Sequence, residues 1–344
     1  MLGRRATLRD VADLAGVHTS TASRAINEHT RSLVDSQTVE RVLQAAEELG
    51  YRPNSLARGL KTNRTFTVGM LLPDLTNPLF PPIVRGIDDS LGQADYTVIL
   101  ANTDNDDDKE RAVLHALLSR GVDGLILATA QRTATAAVRE IVEGGLPTVL
   151  VNRTMDDVEV SSITGDDRQG ARLAVEHLAA LGHRRIAHVA GPQHFSTGQA
   201  RYRGFLEAME QAGLEADPDL VVFADSFREQ EGATAFRALL RRRTDMTAVV
   251  AGNDLIALGC YDVLGERGLS VGADVSVVGF NDMLFADKLC PPLTTIRIPH
   301  YEIGARAGQI ILDLLQGRRT DVVQVHLETA LVDRASTGPP RSAD

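Results

Sequence analysis

The segment from Thr7 to Asn27 constrains the fold more than any other part of the chain, because it contains two short helical patterns separated by one glycine. Thr7 and Asp10 have the spacing of an N-terminal capping box, in which each side chain accepts a hydrogen bond from the other residue's amide. From Leu8, apolar residues recur at positions i, i+3, i+4 and i+7, which define one helical face. Gly16 then offers the left-handed backbone that commonly ends a helix. We therefore predict a helix, a tight turn and a second helix.

The second helix is predicted over Thr19–Asn27, and its outward side is rich in short hydrogen-bonding groups. Ala22, Ala25 and Ile26 would face the interior. The outward side carries Thr19, Ser20, Thr21, Ser23, Arg24 and Asn27. Small hydroxyl and amide groups can approach a phosphate backbone closely, and the guanidinium fork of Arg24 can grip a guanine edge with two hydrogen bonds. This pattern predicts a surface that contacts duplex DNA.

A third helix is predicted after Asp35, which can cap its N-terminus, and Gly50 would end it. Its expected apolar stripe consists of Val39, Val42, Leu43, Ala46 and Leu49. Three short helices around one small core are enough for a helix-turn-helix domain, whose second helix enters the major groove. The alternative is a small helical bundle that has no contact with DNA.

The next segment, residues 51–60, predicts a short helix that is marginal in water by itself. Pro53 suits a first helical turn, whereas Gly59 weakens the helix. Leu56, Ala57 and Leu60 would share one apolar side, which can insert between base steps in the minor groove. A plain interdomain linker is the alternative.

Charge is distributed unevenly along the 344 residues. The net charge is −10, yet residues 1–64 carry +3 and the remainder carries −13. A basic head on an acidic body suits a protein in which only the head meets phosphate. We predict neither a membrane-spanning segment nor a secretory signal, because no sufficiently long apolar run is present. Cys260 and Cys290 fit no zinc or redox spacing, so we expect reduced thiols in a cytoplasmic protein without a metal or cofactor.

From Phe66 onward, strand-length apolar runs alternate with helical patterns, which predicts parallel sheets covered by helices on both faces. One set of runs extends from Phe66–Leu72 to Thr148–Val151, and a second set begins at Asp166. Two such halves in tandem predict a cleft between them. Ligands of open parallel sheets bind beyond the carboxyl ends of the strands.

Six residues near the predicted strand ends are candidates for a ligand site. They are Phe80, Arg153, Arg201, Phe227, Asn253 and Asn281. A guanidinium fork, such as that of Arg201, can clamp a hydroxyl pair or a carboxylate. Amide side chains both donate and accept, which suits sugar hydroxyls, and aromatic rings can stack on an apolar ring face. A surface or interdomain structural role is the alternative for each.

Motifs that resemble one known family run through the chain. In the head they are LRDVADLAGV at 8–17, STASR at 20–24, RVL at 41–43 and ELGYRPNSLARGL at 48–60. In the body they are PDLTNP at 73–78, GVDG at 121–124, LGHRRI at 181–186, GFLEAM at 204–209, NDLIALG at 253–259, VVGF at 277–280 and PLTTI at 292–296. The chain thus resembles the lactose repressor/galactose repressor (LacI/GalR) family of bacterial transcription regulators, whose core is similar to periplasmic sugar-binding proteins.

The resemblance implies an all-α helix-turn-helix head plus an α/β periplasmic-binding-protein-like core of two parallel-sheet subdomains. It also implies DNA contacts at matching positions. Base reading would fall to Thr19, Ser20 and Arg24, phosphate contact to Thr21, Ser23, Asn27 and Tyr51, and insertion into the minor groove to Ala57 and Leu60. The family's ligand contacts match the six candidates.

Three departures from the family pattern accompany the resemblance. His18 stands where a capping serine is usual, so the start of the second helix is expected to differ. Asn281 stands where several sugar-binding members have an aspartate. The loop Glu28–Val34 is about two residues longer than usual, which would shift the third helix.

The resemblance also predicts domain boundaries. Residues 1–52 would form the DNA-binding domain, 53–64 a hinge helix and linker, 65–338 the effector-binding core, and 339–344 a frayed tail, with fraying expected from Ala335. Within the core, an N-subdomain would include about 65–163 and 294–323, and a C-subdomain about 165–292 and 324–338. The chain would cross between them near Ile163–Gly165, Pro292–Thr295 and Val322–Val325.

These observations favour a sequence-specific DNA-binding regulator, a repressor by first preference, whose operator affinity is controlled by a carbohydrate or related polar metabolite. The expected partners are a near-palindromic operator in double-stranded DNA and further copies of the chain, as a dimer or a tetramer. An activator and a corepressor-dependent repressor fit the same sequence, and a solute receptor without DNA regulation is a second class. We expect no enzymatic activity, because no Gly-rich phosphate loop or nucleophile elbow occurs.

Overall fold

The structure, a computed structural model, describes residues 6–27, 30–51 and 64–341, and the chain divides into two compact units after Thr65. The first unit is helical. Its described helices are α1 (Leu8–Ala15), α2 (Thr19–Ile26) and α3 (Ser36–Glu48), with a 3-10 turn at Arg31–Leu33. The predicted helix, turn and second helix are therefore present.

Local capping explains where α1 begins and ends. The Thr7 amide donates to Asp10 Oδ2 at 2.7 Å, and the Asp10 amide donates to Thr7 Oγ1 at 3.3 Å, which is the predicted capping box. Gly16 adopts φ 65° and ψ 39°, a left-handed conformation that costs glycine little. The chain can therefore turn directly from α1 into α2.

The core of the first unit is built from small side chains, so the three helices can pack closely. Its buried members are Val11, Ala12, Ala15, Ala22, Ala25, Val42 and Ala45. The prediction that Leu43 and Leu49 face inward is wrong, since each is 37% exposed. Val42 points inward on α3, and each helical residue turns by about 100°, which carries Leu43 away from the core. Leu49 lies beyond the last residue of α3.

The second unit contains two six-stranded sheets, and its fold class is the predicted one. The strands are β1 (Thr67–Leu72), β2 (Thr97–Asn102), β3 (Gly124–Leu127), β4 (Thr148–Val151), β5 (Ser161–Gly165), β6 (Ile186–Ala190), β7 (Val221–Phe223), β8 (Ala248–Ala251), β9 (Ser276–Asn281), β10 (Thr294–Arg297), β11 (Gln324–Leu327) and β12 (Ala330–Val332). The helices are α4 (Phe80–Gly92), α5 (Asp107–Ser119), α6 (Ala136–Glu143), α7 (Asp167–Ala180), α8 (Ser196–Gln211), α9 (Glu229–Arg242), α10 (Asp254–Glu266) and α11 (His300–Leu315).

The structure assigns two strands, β10 and β11, to the sheet opposite to the one that the predicted subdomain boundaries gave them. The first sheet has the order β11-β5-β4-β3-β1-β2 and the second β12-β10-β9-β8-β6-β7. All neighbours pair in parallel except β10 and β12. Because β10 pairs with β9 and β11 with β5, the predicted crossings at Pro292–Thr295 and Val322–Val325 are wrong. The chain leaves the second sheet only after Arg297, at the end of β10, and the first sheet only after Leu327, at the end of its edge strand β11.

Helices α4 and α11 cross in very close contact beside the first sheet. A Cβ atom on Gly304 would lie 2.0 Å from the Ile83 carbonyl oxygen, and one on Gly86 would lie 2.1 Å from the Tyr301 carbonyl oxygen. Both distances are far below van der Waals contact, so only glycine permits this approach of the two backbones.

The end of the core is packed, contrary to the prediction of fraying from Ala335. Ser336 is fully buried, and its Oγ accepts from the Thr294 amide at 2.7 Å and donates to the Val277 carbonyl at 2.6 Å. His183 Nε2 lies 2.8 Å from the Gly338 carbonyl oxygen. The tail thus supplies partners to polar groups at the edge of the second sheet, which an unpaired chain end would leave unsatisfied.

Candidate functional site

The outward side of α2 presents the residues that were predicted to read DNA bases. Ala22 and Ala25 are buried, whereas Thr19, Ser20 and Arg24 are exposed. Packing of the two alanines against α1 and α3 fixes the rotation of α2 about its axis. The three predicted base-reading side chains therefore lie together on the solvent side of the first unit.

His18 caps α2 in place of the serine usual in the family. Its Nδ1 accepts a hydrogen bond from the Ser20 amide at 3.2 Å and lies 2.8 Å from Ser20 Oγ. The imidazole thus takes the capping role of the usual hydroxyl and also holds the Ser20 side chain beside the start of α2.

Thr30 and Arg31 complete the C-terminal end of α2. Arg31 donates from Nε to the Ala25 carbonyl at 3.0 Å and from Nη2 to the Ile26 carbonyl at 3.3 Å. Thr30 Oγ1 donates to the Arg24 carbonyl at 3.1 Å. A cation at this end also interacts favourably with the helix dipole. This role of Arg31 was not predicted, although a basic residue soon after a helix end is a recognisable signal.

The residues predicted to contact phosphate occupy the margins of the same unit. Ser23 is exposed, and Thr21, Asn27 and Tyr51 are half-buried. Burial raises the pKa of Tyr51 above its ordinary value, so its hydroxyl stays protonated and can donate to a phosphate oxygen. The predicted minor-groove residues Ala57 and Leu60 lie outside the described residues.

In the second unit, all six ligand-site candidates line one cavity at the carboxyl ends of the strands. The lining comprises Asn77, Leu79, Phe80, Asn152, Arg153, Thr197, Arg201, Phe227, Asn253 and Asn281. The free volume between these side chains is only about 30 Å³, which is space for about one water molecule. Pockets that hold small ligands usually measure roughly 300–1,000 Å³. The cavity is therefore nearly closed in this conformation, with less free volume than small ligands usually occupy.

Arg201 is held on several sides by protein groups. Its Nε donates to Asp167 Oδ1 at 2.8 Å, Nη1 to the Gly252 carbonyl at 2.7 Å, and Nη2 to Asn281 Oδ1 at 3.2 Å. The guanidinium carbon lies 3.8 Å from the centroid of the Phe280 ring. Burial raises the pKa of Asp167, and the charge of Arg201 offsets part of that rise. Arg201 retains only two N–H groups for a ligand. In this conformation it both lines the cavity and orients the Asn281 side chain.

The two asparagines differ in how far protein contacts occupy them. Asn253 caps α10, since its Oδ1 accepts from the Ile256 amide at 2.8 Å, and its Nδ2 donates to the Phe227 carbonyl at 3.3 Å. Asn281 ends β9 with a φ of 111°, which turns its side chain toward Arg201. The bond from Arg201 orients the Asn281 amide so that its Nδ2 can donate to a ligand, where an aspartate could only accept.

Arg153 is the least satisfied of the lining residues. Its side chain is buried, and Nε and Nη1 have no hydrogen-bond partner among the described residues. Its guanidinium carbon lies 3.6 Å from the centroid of the Phe195 ring. Burial lowers the pKa of Arg153 to about 9, with a contribution from the nearby charge of Arg201. Arg153 therefore remains a cation at neutral pH.

Sequence reasoning missed four polar or aromatic residues at this site: Asn77, Asn152, Thr197 and Phe195. Asn77 belongs to the motif PDLTNP and Asn152 directly precedes Arg153, so position after a strand was a usable signal for both. Asn152 also has a positive φ of 65°. Thr197 and Phe195 lie at the start of α8, and no sequence signal indicated that Thr197 lines the cavity or that Phe195 packs against Arg153.

The described residues contain no group of three or more His, Cys, Asp or Glu side chains that could hold a metal ion. Among the helices that the structure describes, none combines the length and apolar character needed to cross a membrane.

Two family models match the chain. Residues 7–54 match bacterial regulatory proteins of the lacI family, and residues 65–332 match periplasmic binding proteins and the sugar binding domain of the LacI family. Together these matches cover both units.

Individual proteins match along nearly the whole chain. The HTH-type transcriptional regulator RegA of Clostridium saccharobutylicum is 36% identical, over 96% of this chain and 99% of its own. The ribose operon repressor of Escherichia coli (strain K12) is 35% identical with the same coverage. The solved lac repressor dimer bound to operator and the anti-inducer ONPF superposes with a TM-score of 0.83 at 29% identity, over 97% of this chain and 100% of that one. The chain therefore belongs to the LacI family of bacterial regulatory proteins and is an effector-controlled, DNA-binding transcriptional regulator.

Proposed function

We propose that this regulator is a homodimeric repressor, which binds a near-palindromic operator in the cytoplasm and releases it when a carbohydrate or related polar metabolite occupies the strand-end cavity. The names of the ribose operon repressor and of the operator-bound lac repressor dimer support repression, a sugar effector and a dimer. No catalytic step is part of this function. A tetramer remains the alternative assembly.

The observation that carries the proposal is the convergence of six distant residues on one cavity. Phe80, Arg153, Arg201, Phe227, Asn253 and Asn281 were chosen from separate stretches of sequence, and all of them line it. The lining combines aromatic rings, amides and guanidinium groups, which together suit a ring that bears several hydroxyls.

DNA recognition is assigned to the exposed side of α2. Thr19, Ser20 and Arg24 would read base edges. Thr21, Ser23, Asn27 and Tyr51 would donate to phosphate oxygens, which positions the domain without reading sequence. In this proposal residues 1–52 form the DNA-binding domain and 53–64 the hinge, with Ala57 and Leu60 in the minor groove.

Control by the effector follows from the small volume of the cavity. A ligand of sugar size exceeds the free volume of the nearly closed cavity, so in this proposal it binds to a wider arrangement and shifts the population toward it. If the operator-binding dimer prefers the closed arrangement, ligand and operator oppose each other, and by linkage each weakens the other's binding equally. The opposite preference would make the ligand a corepressor.

A gel-shift titration tests the proposal, with duplex DNA from the promoter region beside the gene for this chain and random duplex as competitor. Arg24→Ala should cost about 1–3 kcal/mol of operator binding and relax base choice at one position of each half-site. Arg41→Ala is the matched control, because Arg41 is exposed on α3 and its Nη2 donates to Thr38 Oγ1. It should lose much less specific affinity.

Two results would contradict the proposal. One is the absence of any preference for the promoter duplex over random competitor. The other is a monomer by analytical ultracentrifugation at the concentration that gives specific binding, since a near-palindrome requires two heads.

A further inference from the structure

The guanidinium of Arg153 lies in the strand-end cavity without the partners that a buried cation normally has. The residue is 5% exposed, and neither Nε nor Nη1 donates to any group among the described residues. Contact with the Phe195 ring compensates the charge partly. Burying an unpaired cation is costly, and charged groups inside proteins are normally paired. A folded protein tolerates such a group most readily where a ligand completes it.

Of the two buried guanidinium groups in the cavity wall, Arg201 has an ion-pair partner among the described residues and Arg153 has none. Asp167 is paired with Arg201 at 2.8 Å. Glu110 attracts Arg153 only as a minor influence on the pKa of that guanidinium. The Glu110 oxygens accept from Thr129 Oγ1 and Thr135 Oγ1, and burial raises the pKa of its carboxyl. Glu110 and Arg153 therefore influence each other electrostatically, but they form neither a hydrogen bond nor an ion pair in this structure.

We propose that the effector carries an anionic group, a carboxylate or a phosphate, which pairs with Arg153 while its polyhydroxylated body contacts the amide side chains of the cavity. A planar guanidinium matches two oxygens of either group with parallel hydrogen bonds. The inference rests on the proposed function, because it specifies the ligand class of the same cavity. A sugar acid and a sugar phosphate share this chemistry, and the experiment distinguishes them.

Thermal unfolding of the purified full chain, in chloride buffer at constant ionic strength, tests the inference with matched pairs of ligands. The probes are D-glucose against D-gluconate and D-glucose 6-phosphate, D-ribose against D-ribose 5-phosphate, and inorganic phosphate alone. At least one anion should raise the melting temperature of the core in a saturable way, whereas its neutral parent should not. Gluconate acting alone would identify a carboxylate, and the phosphate esters or inorganic phosphate would identify a phosphate.

Variants at Arg153 separate a ligand contact from a structural one. Arg153→Met should lower the affinity for the anion roughly tenfold or more. It should also raise the melting temperature of the ligand-free protein, since it removes a buried unpaired charge. Arg153→Lys, which keeps the charge but not the fork, should retain part of the anion affinity. Arg203→Gln is the matched control, because Arg203 is exposed on α8 beyond the cavity lining. It should leave both quantities unchanged.

Three outcomes would overturn the inference: neutral parents that stabilise the core as strongly as the anions, no saturable stabilisation by any anion, or equal stabilisation of the Arg153→Met variant. A lowered melting temperature of ligand-free Arg153→Met would likewise show that the guanidinium is structural. Gel shifts keep this failure distinct from failure of the proposed function. A neutral sugar that releases the operator would refute only the anion, and an anion that binds through Arg153 without affecting operator binding would refute only the control of DNA binding.

Discussion

Breaking the buried ion pair between Asp167 and Arg201 is the strongest test of what stabilises the cavity wall. Its two side chains are 9% and 5% exposed, and Arg201 Nε lies 2.8 Å from Asp167 Oδ1. At an effective dielectric constant of about 20, two unit charges at this distance attract with about 6 kcal/mol before any desolvation cost. That cost cancels much of the attraction in the intact pair.

Removing one partner has a different balance, because the cost of burying the remaining charge persists. Asp167→Asn keeps the size of the side chain and deletes its charge, which leaves Arg201 buried near a second cation, Arg153. We expect the free energy of unfolding of the core to fall by about 3–5 kcal/mol. Urea unfolding at pH 7, followed by circular dichroism, measures this change through the midpoint of the core transition.

Two further variants make the measurement specific. Glu266→Gln breaks an exposed ion pair with Arg237 and should leave the midpoint nearly unchanged. The double variant Asp167→Leu with Arg201→Met removes both charges and should lose less stability than the sum of the two single changes. A loss below about 1 kcal/mol for Asp167→Asn, comparable with Glu266→Gln, would refute the claim that this pair is effectively desolvated.

Two other predictions concern the core. Gly304→Ala should lower the free energy of unfolding in urea by roughly 3 kcal/mol or more, because its Cβ would meet the Ile83 carbonyl oxygen at 2.0 Å. The control is Gly92→Ala on α4, whose Cβ would meet no atom within 4 Å, so this change should be neutral or slightly stabilising. Equal effects of the two substitutions would contradict the close contact between α4 and α11. Burial lowers the pKa of His188 from 6.5 to about 4, so below pH 6.5 the unfolded chain binds a proton that the folded chain does not, and stability should fall by about 3 kcal/mol between pH 6.5 and pH 4. His188→Gln should reduce this loss of stability between pH 6.5 and pH 4, whereas the control His115→Gln, at an exposed position, should not. Identical dependence of stability on pH in the two variants would contradict the lowered pKa of His188.

Local features of the first unit were predictable because each depends on few neighbouring residues. The Thr7–Asp10 box, the left-handed Gly16 and the Asp35 cap all involve contacts within a few positions of the chain. The direction in which Leu43 points was not predictable in this way, since Val42 and Ala45 compete for the same core and only packing against α1 and α2 decides the rotation of α3.

The candidate site shows the same division. Position at the end of a strand was enough to find Arg153 and Asn281, because parallel strands deliver their carboxyl ends to one edge of a sheet. The sequence did not indicate which guanidinium is free to bind a ligand, and it favoured Arg201 as the residue that clamps the ligand. Contacts from Asp167, Gly252 and Asn281, between 34 and 80 residues away, occupy Arg201 and leave Arg153 unpaired.

By itself, the order of residues determined the helix-turn-helix head, the alternation of strands and helices, and the family, because periodicity, caps and motifs are local properties of the chain. Only the tertiary structure decided which sheets β10 and β11 join, the packed tail around Ser336 and the side-chain pairing in the cavity. Each of these depends on backbone hydrogen bonds or side-chain pairs that close over long stretches of sequence, and such pairs exist only once the chain has folded.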